Sequence, residues 1–559
     1  MKEGGIIMDL KDTADKLIQG DVKGVITDVS KQLERTIGLV GVIIISLSAM
    51  LGSGLFVLPS LAADTMGASA AGIWLAYILA ATVVLPGAIS KAELASAMPV
   101  SGGDYIYIER TFGPMFGTIS GLGLWASFLL KAAFALIGLS AYMYVITNFL
   151  QIELNAFVVS MSVLSLVVII NILGVKKIKA IQAPIVGFSI ALLLILSIKV
   201  LITGEADLSI PAQAAYNTDI WLLGETAALV FVAYAGVTKV AAIAEEIKNP
   251  GKNLPSGMYI SLATATLLYS GVAYILMATL ADGWWIASDG HVVEDPIFIF
   301  AEHVGGKTIG LVAAVLAILT MASMALAGIL ASSRYLFAMA RDNLLPQAIE
   351  DVNAKWETPH WAIILTGAMM ALVLITLPVK DVAKLASGFQ IMVFVIVNMC
   401  LIVLRGVKKG HEWYQPTYFA PLFPLIQIWG IIGGIMLVII MGEKAFIGAA
   451  VAIVIGLITY YSYGKKHAHP RETPFDTFKQ EFLNPTPEEH KRRAEIFHMA
   501  DLGGKNHLTL KEFQHALKHL GFKYDSDETR LIFHKADINE DGVIDIDEFL
   551  CSFENAEQE

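Results

Sequence analysis

The twelve residues DINEDGVIDIDE, Asp537 to Glu548, put oxygen-bearing side chains at alternate positions of one short segment. A calcium loop of this length draws its ligands from the first, third, fifth, seventh, ninth and twelfth positions. Asp537, Asn539 and Asp541 fill the first three of these, Val543 offers its carbonyl, Asp545 stands ninth, and Glu548 can bind through both carboxylate oxygens. Gly542 falls where the chain must turn sharply. The pattern points to Ca2+, with Mg2+ as the alternative. A second copy, DLGGKNHLTLKE, runs from Asp501 to Glu512 with the correct ends, but Gly503 and Lys505 replace two ligands. A cation at a ligand position repels a metal ion, so this hand is expected to be structural and to pair with the other through Leu508 and Ile544. The apolar spacing of the flanking ETRLIFHKA and DEFLCSFE completes a helix–loop–helix.

A different chemistry is written in AMLGSGLFVLP, Ala49 to Pro59, where Gly52, Ser53 and Gly54 interrupt an apolar run at its centre. Unwinding a helix in lipid leaves amides and carbonyls without partners, which is tolerable only where they face protein or a polar ligand. Amides starting a half-helix at Gly52 to Leu55 suit a carboxylate. Carbonyls ending the preceding half, near Met50, suit an ammonium. A zwitterion fits both. In FVAYAGVTKVAAIAEE, Gly236 interrupts a later apolar run, with Thr238 and Lys239 following it. Paired interruptions of this kind mark inverted repeats around a midplane site. Close packing of two helices through small residues is the competing explanation for one such motif alone. Lys131, in SFLLKAAFALIG, is charged inside an apolar stretch, and an intramembrane lysine is a functional-site candidate by default.

The elements that must position these groups are set by composition. Of 559 residues 56% are hydrophobic and 16% charged, more apolar side chain than a water-soluble fold can bury. Apolar runs of roughly 20 residues, the length of a membrane-crossing helix, recur about twelve times. They begin near Ile37, Gly72, Met115, Asn155, Ala180, Ile220, Pro255, Thr308, Trp361, Ala383, Leu422 and Lys444. Arg110, Lys176, Lys177, Lys179, Lys248, Lys252, Arg341, Lys355, Arg405, Lys408 and Lys409 fall in the even-numbered connections, whereas the odd ones are almost bare. Lys380, Lys384 and Lys444 are the exceptions. By the positive-inside rule both termini are expected in the cytoplasm of a multi-pass cell-membrane protein. The apolar pattern stops near Tyr463. From Gly464 onward 13 Lys and Arg face 20 Asp and Glu, giving the tail −7 of the chain's net −11. The expected organisation is a cytosolic segment over 1–36, a transmembrane domain over 37–463, a linker over 464–487 and a cytosolic calcium-hand pair over 488–559.

The segments GSGLFVLP, KAELASAMPVSGGDYIYIERTFGP, FVAYAGVTKVAAIAEEIKNPGKNLP and ASSRYLFAMARDNLLP resemble the amino acid–polyamine–organocation superfamily, in its amino acid permease branch. The resemblance covers Gln32 to Tyr463. It implies an all-α membrane fold, a LeuT-like five-plus-five inverted repeat with two broken helices and two further helices, followed here by a soluble helical EF-hand pair. It implies that the substrate carboxylate binds at Gly52, Ser53 and Gly54. The amino group would meet carbonyls of Met50, Val232 and Ala235 beside Gly236, with Phe231 as gate or lid. Thr238 stands where many relatives carry Glu, and Ser189 where proton-coupled members carry a fifth-helix Lys, so Lys131 and Ser189 are the candidates for coupling to H+ or Na+. Glu93 reads as a structural partner for a nearby base. The expected activity is secondary-active transport of amino acids or related zwitterions. The alternatives are an amino-acid sensor without net flux and a polyamine or organic-cation carrier. AEHVGGKT has Ala301 where a phosphate loop needs Gly, and HEWYQ lacks the second His of a zinc protease motif. No enzymatic activity and no nucleic-acid partner are expected.

Overall fold

The structure, a computed structural model, describes residues 37–98, 102–152, 155–173, 178–353, 356, 358–407, 414–468, 473–483, 496–501, 505, 507–519, 526–537, 542–546 and 548–549. The described chain is almost entirely helical. The contacts divide it into two compact units, one of Glu34–Ile402 with Pro416–Arg471, the other holding Val403–Gln415 and Glu472–Glu559.

In the larger unit the first apolar run is three helices in series, α1 (Leu39–Met50), α2 (Ser53–Phe56) and α3 (Leu58–Met66). There follow α4 (Ile73–Ala97), α5 (Asp104–Phe112), α6 (Pro114–Phe149), α7 (Ala156–Ile172), α8 (Ile178–Thr203), α9 (Ser209–Asn217) and α10 (Ile220–Val230). A 3₁₀ segment, Phe231–Glu246, continues α10, and α11 (Pro250–Thr279), α12 (Pro296–Arg341), α13 (His360–Thr376), α14 (Val379–Gly406), α15 (Leu425–Ile440) and α16 (Glu443–Thr459) complete the unit. Among the described residues, eight helices are long and apolar enough to cross a membrane. Four shorter apolar helices, Leu39–Met50, Phe157–Ile172, His360–Thr376 and Leu425–Ile440, fall where the other spans are expected.

The bundle is packed through small residues. A Cβ on Gly328 of α12 would lie 2.5 Å from Ala132 of α6, and one on Gly121 of α6 would lie 2.5 Å from the Met339 sulfur. Those glycines let the two helices approach where lipid supplies no hydrophobic drive between them. Phe128 and Tyr335 stack across the same seam at 5.6 Å. Ion pairs join the first turns of α14 to α3 and α10: Lys380 to Asp64 and Lys384 to Glu225, each at 2.7 Å. These are two of the three lysines that break the charge alternation, and each has its own carboxylate. Elsewhere the Lys248 amide donates to the Ile37 carbonyl at 2.9 Å, joining the start of the first span to the end of the sixth.

In the smaller unit, β1 (His507–Leu508) pairs antiparallel with β2 (Ile544–Asp545), Leu508 opposite Ile544. The expected pairing of the two hands is thus present. The helices α17 (Pro474–Leu483), α18 (Leu510–His519) and α19 (Ser526–Ala536) belong to this unit. Phe497, Phe513, Leu517, Phe533 and Phe549 close a small core around the strand pair.

Candidate functional site

The first span breaks where its glycines fall. α1 ends at Met50, and the Leu55 and Phe56 amides donate to the Gly52 carbonyl at 3.0 Å. The intrahelical ladder therefore restarts with Leu55, and the amides of Ser53 and Gly54 lie ahead of it, at the positive end of the new half-helix. Met50, Ser53, Gly54 and Phe56 are all buried. Side chains must then satisfy the carbonyls that the broken ladder leaves, and tyrosines do so. Tyr77 donates to the Gly54 carbonyl at 3.2 Å and Tyr142 to that of Phe56 at 2.7 Å.

The sixth span departs from expectation. It does not unwind at Gly236. Its winding changes from α to 3₁₀ at Phe231 and stays so to Glu246. The tighter helix brings Gly236 against the first span: a Cβ there would lie 2.5 Å from the Ala49 carbonyl carbon and 2.6 Å from the Met50 nitrogen. Only glycine permits backbone to meet backbone this closely. A Cβ on Gly54 would likewise lie 2.8 Å from Ala233. The break of the first span and the 3₁₀ stretch of the sixth thus meet at one place in the fold, beside the amides of Ser53 and Gly54 and the end of α1.

The resemblance-implied residues are all buried: Met50, Gly52, Ser53, Gly54, Phe231, Val232, Ala235 and Gly236. The Val232 amide donates to the Ser387 hydroxyl at 3.0 Å, which donates in turn to Leu229 at 2.7 Å. Phe231 meets Phe394 edge to face at 5.4 Å. The Phe394 ring lies 3.7 Å from the Lys91 ammonium, itself 2.7 Å from Asp104. Lys131 reaches the Ala233 carbonyl at 3.5 Å, shared with the Tyr269 hydroxyl at 3.4 Å. Ser189 lies 3.1 Å from the Thr320 hydroxyl, and Thr320 also donates to Leu316. The candidate coupling residues therefore sit in different places, Lys131 against the sixth span and Ser189 against α12.

Sequence reasoning left several neighbours out. Met324 faces Gly52, where a Cβ would meet its sulfur at 2.3 Å, and accepts from the Ser53 hydroxyl at 3.7 Å. Tyr77, Tyr234 and Tyr269 form a ring cluster behind the breaks, at centroid separations of 5.4 and 5.2 Å. These are contacts between distant segments with no local signature. The Glu93 carboxylate, read as the partner of a base, accepts from the Ala420 amide at 2.6 Å, so a loop amide is a partner the reading omitted. The basic residues Lys176, Lys177, Lys408 and Lys409 lie outside the described residues.

In the smaller unit, Gly542 adopts φ +82°, and its amide donates to the Asp537 carboxylate at 2.9 Å. The Asp545 amide donates to Glu548 at 3.1 Å, and the Glu548 amide to Asp545 at 2.8 Å. This is the turn and capping that a calcium loop requires at its sixth, ninth and twelfth positions. Val543 belongs to the described loop, whereas Asn539 and Asp541 lie outside the described residues. Among the described residues, no cluster of three or more His, Cys, Asp or Glu side chains is gathered as for a metal. In the upstream copy the Lys505 amide folds back on Asp501 at 3.1 Å. Glu512 accepts from the Thr509 amide and hydroxyl at 2.9 and 2.7 Å, which hold its carboxyl below the usual range.

A bundle of apolar helices, with a broken first span and a 3₁₀-wound sixth span meeting at buried glycines, is the architecture of a multi-pass membrane protein. The family model described as amino acid permease matches residues 37–462, and the chain belongs to that family. A second match, an EF-hand domain pair, covers residues 491–554. The chain is 28% identical to the branched-chain amino acid permease BcaP of Bacillus subtilis (strain 168), over 79% of this chain and 96% of that protein. It is 27% identical to the methylthioribose transporter of the same organism, over 78% and 95%. It is 24% identical to that organism's serine/threonine exchanger SteT, over 78% and 98%. These relatives are transporters, and this chain is not an enzyme.

Proposed function

We propose that the protein carries an α-amino acid, or a small zwitterion built like one, across the cell membrane by alternating access. The meeting of the two interrupted spans carries this reading. The Ser53 and Gly54 amides offer a carboxylate two donors at the positive end of a half-helix. The end of α1 at Met50, with Val232 and Ala235 opposite, offers carbonyls to an ammonium. In this reading ten of the twelve spans form a LeuT-like five-plus-five inverted repeat with two further helices beside it, and the break of the first span and the 3₁₀ stretch of the sixth lie at mid-depth. Phe231, wedged on Phe394, acts as the gate. Both termini, with the EF-hand tail, face the cytoplasm. The relatives named for amino acids support the substrate class, while the methylthioribose relative widens it to other small polar molecules.

Transport draws on an ion gradient or on exchange. Lys131 is the candidate proton carrier, because it is buried against the sixth-span carbonyl at Ala233. Ser189 with Thr320 is the candidate sodium contact, because two hydroxyls converge there. Lys131→Ala with an altered pH profile of uptake supports the first; a sodium-dependent rate lost in Ser189→Ala supports the second. The polycation reading is the weaker alternative, since the breaks bring no carboxylate to the site among the described residues. The sensor reading predicts saturable binding without flux.

The tail binds Ca2+ through its second hand, held by Asp537, Asn539, Asp541, Val543, Asp545 and Glu548. Bound calcium would supply charge neutralisation across these carboxylates, and regulation of transport is the role it best fits. The deciding experiment is reconstitution in liposomes with labelled amino acids, at fixed gradients, with calcium buffered from nanomolar to near-millimolar on the tail side. Flux that follows calcium in the intact chain but not in Glu548→Gln supports regulation.

A further inference from the structure

One cavity of the larger unit has an unusual charge balance. Its walls include Ala49, Phe128, Met324 and Gly328, all without charge, together with Lys131 and Lys239. Lys131 is only 5% exposed. Each lysine has one hydrogen-bond acceptor among the described residues, and each is a backbone carbonyl: Ala233 for Lys131 at 3.5 Å, Ala327 for Lys239 at 2.9 Å. Among the described residues neither has a carboxylate within pairing distance, although Lys91, Lys380 and Lys384 each do. An ammonium carries three donors and no acceptor, so the charged side chains lining this cavity are all cationic. Two like charges on one low-dielectric cavity repel each other and are costly to bury unless an anion joins them.

We propose that Lys131 and Lys239 form an anion subsite beside the substrate-binding breaks, taking a compact monovalent anionic group. Its position follows from shared walls. Ala49 is the residue on which Gly236 rests, Met324 faces Gly52, and Ala233, whose carbonyl Lys131 touches, lies with its Cβ against Gly54. The subsite is therefore separate from the Ser53 and Gly54 amides but within reach of the same ligand. The anion has two sources of the same chemistry: a carboxylate on the substrate's side chain, or a free halide bound with a neutral substrate. The inference rests on the amino-acid transport reading only for its choice of substrates.

The test uses the full chain in two settings. In liposomes, uptake of leucine and glutamate is measured with chloride or gluconate as the anion. Should the side-chain carboxylate occupy the subsite, glutamate is carried in either medium, and Lys239→Met lowers glutamate uptake about tenfold relative to leucine. Should a halide occupy it, leucine uptake falls about tenfold in gluconate and Lys239→Met loses that dependence. Lys239→Arg keeps the charge and restores the wild-type pattern in both cases. In detergent, the thermal midpoint of the wild type rises with glutamate or with chloride over gluconate, and the rise is lost in Lys131→Met and Lys239→Met. Leucine uptake indifferent to chloride, with no glutamate uptake or competition, overturns the subsite and leaves the transport reading standing. No uptake of any amino acid counts against the transport reading, and the midpoints then decide the subsite alone: if neither anion shifts them, it is wrong.

Discussion

Lys91 and Lys131 are both buried in the membrane unit, and they differ in what surrounds the ammonium. Lys91 sits between the Asp104 carboxylate at 2.7 Å and the face of Phe394 at 3.7 Å. Among the described residues Lys131 has one carbonyl, that of Ala233 at 3.5 Å, and a cavity. A charge closed in by an opposite charge and an aromatic face is fixed in place by the fold. One facing a cavity lined with a second lysine is held ready for something that arrives. The contrast teaches that burial of a charge does not by itself separate structure from function; the identity of its partners does. Sequence alone points the same way, though for a different reason. Lys131 stands out in an apolar stretch, while Lys91 lies near Glu93 at the end of a span and looks ordinary.

The comparison breaks first on stability. Removing one partner of a buried ion pair strands the other, so Asp104→Ala should destabilise the protein by about 3–5 kcal/mol. Lys131→Met, which removes an unpaired charge, should leave stability unchanged or raise it. Denaturation of the purified variants in detergent measures both; equal losses would erase the distinction drawn here.

The tail repeats the contrast at smaller scale. Asp537 and Glu548 stand at the ends of a loop whose glycine turns correctly, while the upstream loop places Lys505 among its ligands. Glu548→Gln should weaken calcium binding by about tenfold or more, since the bidentate ligand at position twelve is lost. Glu512→Gln should leave affinity unchanged. Calorimetric titration of the full chain distinguishes them, and equal effects would mean that both hands bind.

The smallest effect is expected at the connection before α12. Burial first, and then the neighbouring Asp295, push the Glu294 carboxyl up from its ordinary 4.5 to about 7. The folded protein therefore holds this proton more tightly than the unfolded chain does. The stability it contributes is complete below the ordinary carboxylate range and is lost as pH rises through about 7. Thermal midpoints should fall modestly between pH 5 and pH 8, and Glu294→Gln should flatten that part of the profile.

What the sequence makes legible follows from how local each signal is. The break at Gly52 to Gly54, the Lys131 charge and the second calcium loop each declare themselves within a dozen residues, and the strand pairing of Leu508 with Ile544 follows from the loop register. The 3₁₀ winding from Phe231 is not legible, because a glycine in an apolar run announces a close approach but not whether the helix opens or tightens. Tyr77 and Tyr142, which satisfy the carbonyls of Gly54 and Phe56, are invisible for another reason. They act across 23 and 86 residues, and nothing in their own neighbourhoods marks them. Lys239 was readable as a charge beside Gly236, but its sharing of a cavity with Lys131 needs the packing of four helices.

Gly54 provides the most direct test of the central claim that substrate binds where the interrupted spans meet. A side chain there would sit 2.8 Å from Ala233 of the sixth span. Uptake of labelled amino acids into liposomes should be measured for the wild type, for Gly54→Val and for Gly271→Val, a helix glycine with no neighbouring atom within 4 Å of its Cβ position. The account predicts saturable uptake by the wild type and Gly271→Val, and neither binding nor uptake by folded, membrane-inserted Gly54→Val. Normal substrate binding by Gly54→Val would contradict it and return the glycines to helix packing alone.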